Sequence, residues 1–90
     1  MKSKLETMLE NLKTLEIKCD EAEAAYVADP ENPDAEAAFD KAYSEEFSAL
    51  NAAVAEIVII SNGDINPGIA RKMILTRREE LEGLVARLVD

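Results

Sequence analysis

Histidine and tryptophan are absent from this 90-residue chain, and cysteine occurs once. Without histidine it lacks the commonest general base near neutral pH and the commonest transition-metal ligand. The lone Cys19 excludes an internal disulfide and any zinc or iron–sulfur site built within one chain. Di-metal carboxylate bundles need a Glu-x-x-His pair on each of two helices, which this sequence cannot supply. Turn formers are also scarce, with three glycines and three prolines, and the only rings are two Phe and two Tyr. That balance argues against an all-β fold and leaves Ala, Leu, Ile and Val to do the packing.

Several motifs are missing as well. No GxxxxGK[ST] loop, GxGxxG turn or GxSxG elbow is present, so nucleotide binding and α/β-hydrolase chemistry have no signal. Asp29-x-Glu31-x-Pro33 and Asp64-x-Asn66-x-Gly68 start like calcium loops. The sixth position, which must be glycine, is Asp34 in one and Ile69 in the other, and Leu75 stands where the second needs its bidentate acid. The adjacent pairs Glu45-Glu46 and Glu79-Glu80 point in different directions on a helix and do not converge. No enzyme activity, metal or cofactor is expected. No apolar run approaches the roughly twenty residues of a membrane-spanning helix. The charged start Met1-Lys2-Ser3-Lys4 leads into an amphipathic pattern where a signal peptide carries an apolar block, so a cytoplasmic location without a membrane is expected.

What the chain does contain is helical periodicity. Met1, Leu5, Met8, Leu12, Leu15, Cys19, Ala22 and Tyr26 alternate spacings of four and three, an unbroken heptad seam. Leu9 and Ile17 widen it. Cys19 falls on this seam and reads as a buried, inert thiol. Nothing from Lys2 to Ala28 breaks a helix, so the first helix is expected over about 2–28. Asp29-Pro30-Glu31-Asn32-Pro33 ends it, and Asn32 followed by Pro33 reads as the cap and first residue of a second helix, about 33–61. Ala35, Phe39, Tyr43, Phe47, Leu50, Val54, Ile57 and Ile60 or Ser61 form the expected inner face of that helix. The β-branched run 54–60 could be a strand on its own, but no second strand exists to pair with it. Asn62-Gly63 supplies a left-handed stop, and Asn66-Pro67 repeats the cap-then-proline start for a third helix, about 67–89. Its inward positions are Ala70, Ile74, Leu81, Leu84, Val85 and Leu88, with Arg77 or Arg78 interrupting the stripe and Gly83 weakening it.

Two short connections make antiparallel neighbours. The expected fold is therefore all-α, a single domain over 1–90: a three-helix up-down-up antiparallel bundle, made of a long hairpin and a shorter third helix. Two variants share the pattern: a hairpin that protrudes with the third helix covering one end, and a hairpin that dimerises.

Charge is the other conspicuous feature. The net charge is -9, and residues 16–46 hold eleven carboxylates against Lys18 and Lys41, which accounts for the whole excess. In a hairpin these acids gather at one end, with Asp20, Glu21, Glu23, Asp29, Glu31, Asp34, Glu36, Asp40, Glu45 and Glu46 as a candidate interaction surface. Arg71, Lys72, Arg77 and Arg78 form a candidate basic patch on the third helix. The plain reading of both is solvation of surface helices.

The leading functional expectation is a small acidic non-catalytic protein-binding module, an adaptor, co-chaperone or regulator acting through a helical face. Its motivation is a surplus of apolar positions over what three helices need: Leu9, Ile17, Ile59, Ile65, Leu75 and Val89. The partner is another protein, or a second copy in a homodimer. The alternative is an acidic nucleic-acid mimic, of phage or mobile-element type, that inhibits a basic DNA- or RNA-binding protein. A third reading is weak DNA binding through the basic start of the third helix, which the overall acidity disfavours.

Overall fold

The computed structural model describes the backbone of residues 4–89 and the side chains of residues 4–83, and its elements are helical: α1 (Lys4–Ala28), α2 (Pro33–Ile60), α3 (Pro67–Thr76) and α4 (Arg78–Val89). No strand occurs among the described residues, so the β-branched run 54–60 is helix. No helix among them is long and apolar enough to cross a membrane.

The punctuation follows from local chemistry. The Asn32 side chain accepts the Asp34 N–H at 2.9 Å, and Pro33, which has no N–H to satisfy, opens α2. Asn66 does the same for α3 by accepting the Ile69 N–H at 2.8 Å ahead of Pro67. At the end of α2 the Gly63 N–H reaches back to the Val58 carbonyl at 3.0 Å and the Asn62 N–H to that of Ile59 at 3.1 Å. Asn62 and Gly63 both take positive φ, 55° and 84°. These paired bonds are a Schellman stop, which satisfies two carbonyls the helix would otherwise leave bare. The Ser61 hydroxyl then accepts the Ile65 N–H at 3.1 Å and sets the path into α3.

Three contacts fix the hairpin register. Lys4 pairs with Glu56, the Cys19 thiol meets Glu46, and the Tyr26 ring lies 5.7 Å from that of Phe39, so α1 and α2 run antiparallel over their whole length. The other two helices are shorter, 10 and 12 residues against 25 and 28. α3 climbs along α2, where the Arg71 guanidinium donates to the Asn51 side chain at 2.8 Å. α4 comes back down along α1: Arg78 meets Glu16, while Glu82 shares a groove with Glu6, Leu9, Glu10 and Lys13. One end of the molecule, the foot, is thus four helices thick, and the other, the tip, is two. The extents, 48 × 25 × 18 Å, reflect that shape.

The expected single helix over 67–89 is two helices. Arg77 breaks it with φ -135° and ψ 44°, its N–H closing α3 on the Met73 carbonyl and its own carbonyl opening α4 to the Leu81 N–H. The physical reason is tertiary. A straight helix would run on towards the tip, whereas the break returns Leu81 to the core, where it is 1% exposed.

That core gathers Leu5, Leu9 and Leu12 of α1, Ala53, Val54 and Ile57 of α2, Ala70 and Ile74 of α3, and Leu81 of α4, all in the foot. Beyond it the hairpin closes on a narrow seam. The expected inner face of α2 needs correcting here, because Tyr43 and Phe47 are 59% and 48% exposed. Ala35 and Phe39 are partly covered as expected, but Ala42, Glu46 and Ala49 continue that line in place of the two rings, with Ala53 buried at its foot end. Small side chains let two backbones approach, and with one neighbouring helix in the tip only one narrow face can be covered.

Of the surplus apolar residues, Leu9 is buried and Ile65 packs against the core, while Ile17, Ile59 and Leu75 are exposed. Met1, and the side chains of Leu84, Val85, Leu88 and Val89, lie outside the described residues.

Candidate protein interface

The acidic surface is built by the hairpin itself. Because α1 ends and α2 begins at the same four-residue connection, carboxylates separated by up to 26 positions in sequence share the tip. Asp20, Glu21, Glu23, Asp29, Glu31, Asp34, Glu36, Asp40 and Glu45 are all exposed there. Asp34 and Glu36 also lie in the first turn of α2, where the helix dipole favours negative charge.

Two members of the acidic segment face other tasks. Glu46 is half buried and lies beside the Cys19 thiol. Burial first, then the neighbouring Glu46 side chain and the charges of Asp20 and Glu23, push the thiol up to about 11. Cys19 is buried, as expected of an inert thiol. Glu16 is half buried too and is clasped by both terminal nitrogens of Arg78. The Arg78 Nε donates in addition to the Ile74 carbonyl at 3.1 Å, capping the end of α3. These contacts raise the Arg78 pKa, mainly through the hydrogen bond to Glu16, so the guanidinium is charged at any accessible pH.

The expected basic patch is therefore divided. Arg71 is tied to Asn51 and Arg78 to Glu16, whereas Lys72 and Arg77 are exposed with no partner among the described residues. An open groove runs beneath the α3–α4 corner between Glu16, Ile74, Leu75, Arg77 and Glu80. Among the described residues no group of three His, Cys, Asp or Glu side chains could hold a metal ion.

The exposed aromatic residues that periodicity placed in the core are Tyr43 and Phe47. Their rings stack at 6.5 Å with an 11° angle between planes, and both are open to solvent. They lie on the flank of α2 that also carries Leu50 and Val54, following the same spacing of four and three. Nearer the foot that flank is covered, with Leu50 half buried and Val54 buried. The missed signal is the parallel row of alanines, which marks the true seam only when α1 is known to approach closely. No protein-family model matches the chain, and comparison with curated proteins and with solved structures finds no match.

Proposed function

We propose that this chain is a small non-catalytic protein-binding module, an adaptor, co-chaperone or regulator working in the cytoplasm, that engages its partner with the protruding half of the α1–α2 hairpin. One observation supports the reading above the rest: structure and charge are divided along the long axis. The main core cluster lies in the four-helix foot, with Cys19 the one buried residue beyond it among those described, while the tip holds the carboxylates behind the net charge of -9 and leaves Tyr43 and Phe47 bare. A tip that contributes little to the core but projects charge and apolar area into solvent is suited to contact another molecule. The partner in this reading is another protein, because two acidic tips repel one another.

Light scattering coupled to size exclusion, at low and high salt, should give a monomer at both. A homodimer would move the exposed apolar residues into a self-interface and make the role structural. Capture from an extract of the source organism should recover proteins on the wild-type chain that the doubly substituted Glu31→Lys/Glu36→Lys chain loses at equal helicity. An identical set on both chains overturns the reading.

The exposure of nine of the ten candidate tip carboxylates favours a second reading, the acidic mimic that occupies a basic nucleic-acid-binding surface. Salt discriminates between them. A mimic loses its partner as the Debye length shrinks to about 4 Å near 0.5 M salt, whereas a module that also buries aromatic rings keeps a substantial part of its affinity.

A further inference from the structure

α3 shows what kind of segment the flank of the hairpin accepts. It is an amphipathic helix that buries Ala70 and Ile74 in the core and carries Arg71 and Lys72 on its other faces. Arg71 hydrogen-bonds Asn51 of α2, and Arg78, just past the end of α3, clasps Glu16 of α1. α3 thus lies along the hairpin with an apolar contact in the middle and its own cation on one wall, while the first residue of α4 places a cation on the other.

The same two walls continue towards the tip with no occupant among the described residues. On α2, Phe47 is one turn beyond Asn51 and Tyr43 one turn further, a stacked and exposed pair. On α1, Leu9, Glu16 and Glu23 are seven residues apart, so Glu23 extends the wall on which Arg78 finds Glu16. Asp40 and Glu36 follow Tyr43 on α2, three and seven residues on, and all three carboxylates are exposed. From Phe47 to Pro33 is about 21 Å of helix, room for an added helix of about four turns. Apolar rings flanked by acids on both walls complement a helix with one apolar stripe and basic margins, the character α3 itself has. A second copy of this chain is a poor complement, because its excess charge has the same sign.

We propose that a basic amphipathic helix of a partner protein docks on the Tyr43–Phe47 ledge, continuing towards the tip the layer that α3 starts at the foot. This rests on the reading of the tip as a protein-binding surface and names the chemistry of what it binds.

The test uses the full chain and a synthetic fifteen-residue peptide of leucine and lysine in helical period, with a scrambled peptide of identical composition as control, followed by fluorescence anisotropy. The helical peptide should bind at least about tenfold more tightly than the scrambled one. Tyr43→Ser/Phe47→Ser should remove that preference while the melting transition and helicity stay as in the wild type, because neither ring belongs to the core. Ile59→Ser, an equally exposed apolar site at the foot, should leave it intact. Equal binding of the two peptides, or a preference that survives the double serine substitution, overturns the proposal. So does a wild-type dimer that the double substitution dissociates, which would make the occupant a second copy. If capture is lost in Glu31→Lys/Glu36→Lys but unaffected by Tyr43→Ser/Phe47→Ser, the tip is an interface and the ledge is not its docking site. If neither substitution changes what is captured, the broader reading fails with it.

Discussion

Leu12 and Ile57 are each 1% exposed and sit where α1 and α2 meet the other two helices. Truncating either to alanine removes apolar contacts and leaves a cavity that close-packed neighbours only partly fill. The expected cost is about 2–5 kcal/mol, read from urea melts. Phe47→Ser removes a larger side chain and should change stability by no more than about 0.5 kcal/mol, since that ring lies in solvent. An unchanged midpoint for Leu12→Ala would contradict the placement of the seam. Cys19 supplies a pH dependence. Its thiol is raised from the ordinary 9.0 to about 11, so between those values the unfolded chain releases a proton that the folded chain retains. Its contribution is intact below pH 9 and is lost as pH rises towards 11. Denaturant melts across that window should show a decline in the wild type that is smaller in Cys19→Ala.

Among the elements, α3 and α4 carry the clearest departure from sequence pattern. Thr76-Arg77-Arg78-Glu79-Glu80 contains neither glycine nor proline, and nothing local in it stops a helix. What breaks it is the clasp between Arg78 and Glu16, 62 positions away, together with the burial of Leu81. Such a cause is invisible to a reading that compares neighbours along the chain. Arg78→Ala should cost about 1 kcal/mol, the pair being partly solvated, and should speed amide exchange in α4 relative to α1. Arg78→Lys should recover only part of this, because an ammonium cannot make the two-pronged contact and cap Ile74 as well. By contrast, the stops and starts were legible: Asn32-Pro33, Asn62-Gly63 and Asn66-Pro67 each act through a side chain or φ value that belongs to the residue itself. The candidate interface was half legible. Its carboxylates announce themselves by charge, but Tyr43 and Phe47 fit a regular apolar stripe that points inside, because spacing cannot distinguish the alanine row that packs from the aromatic row beside it. Gly83 offers a gain in α4. A Cβ there meets nothing within 4 Å, so Gly83→Ala should stabilise the fold by about 0.5–1 kcal/mol and raise Tm by a few degrees.

For the molecule as a whole, thickness sets stability. Amides around Leu9, Leu12 and Ile57 lie within four packed helices and should exchange only when the whole fold opens. Those from Glu21 to Asp40 rest on alanines and the single Tyr26–Phe39 ring contact, and should exchange through local openings of lower free energy. Native-state hydrogen exchange checks this directly, and uniform protection along the hairpin would contradict it. The confinement of the core to the foot also bears on how such a chain can change over generations. Replacements in the foot are screened first for whether the protein folds. Replacements between 20 and 46 fall mostly on exposed positions and, under the proposed function, are screened for what the molecule recognises. On that proposal the two kinds of selection act on different stretches of one short chain, so a lineage can rewrite the exposed surface of its tip many times while leaving the problem of folding already solved.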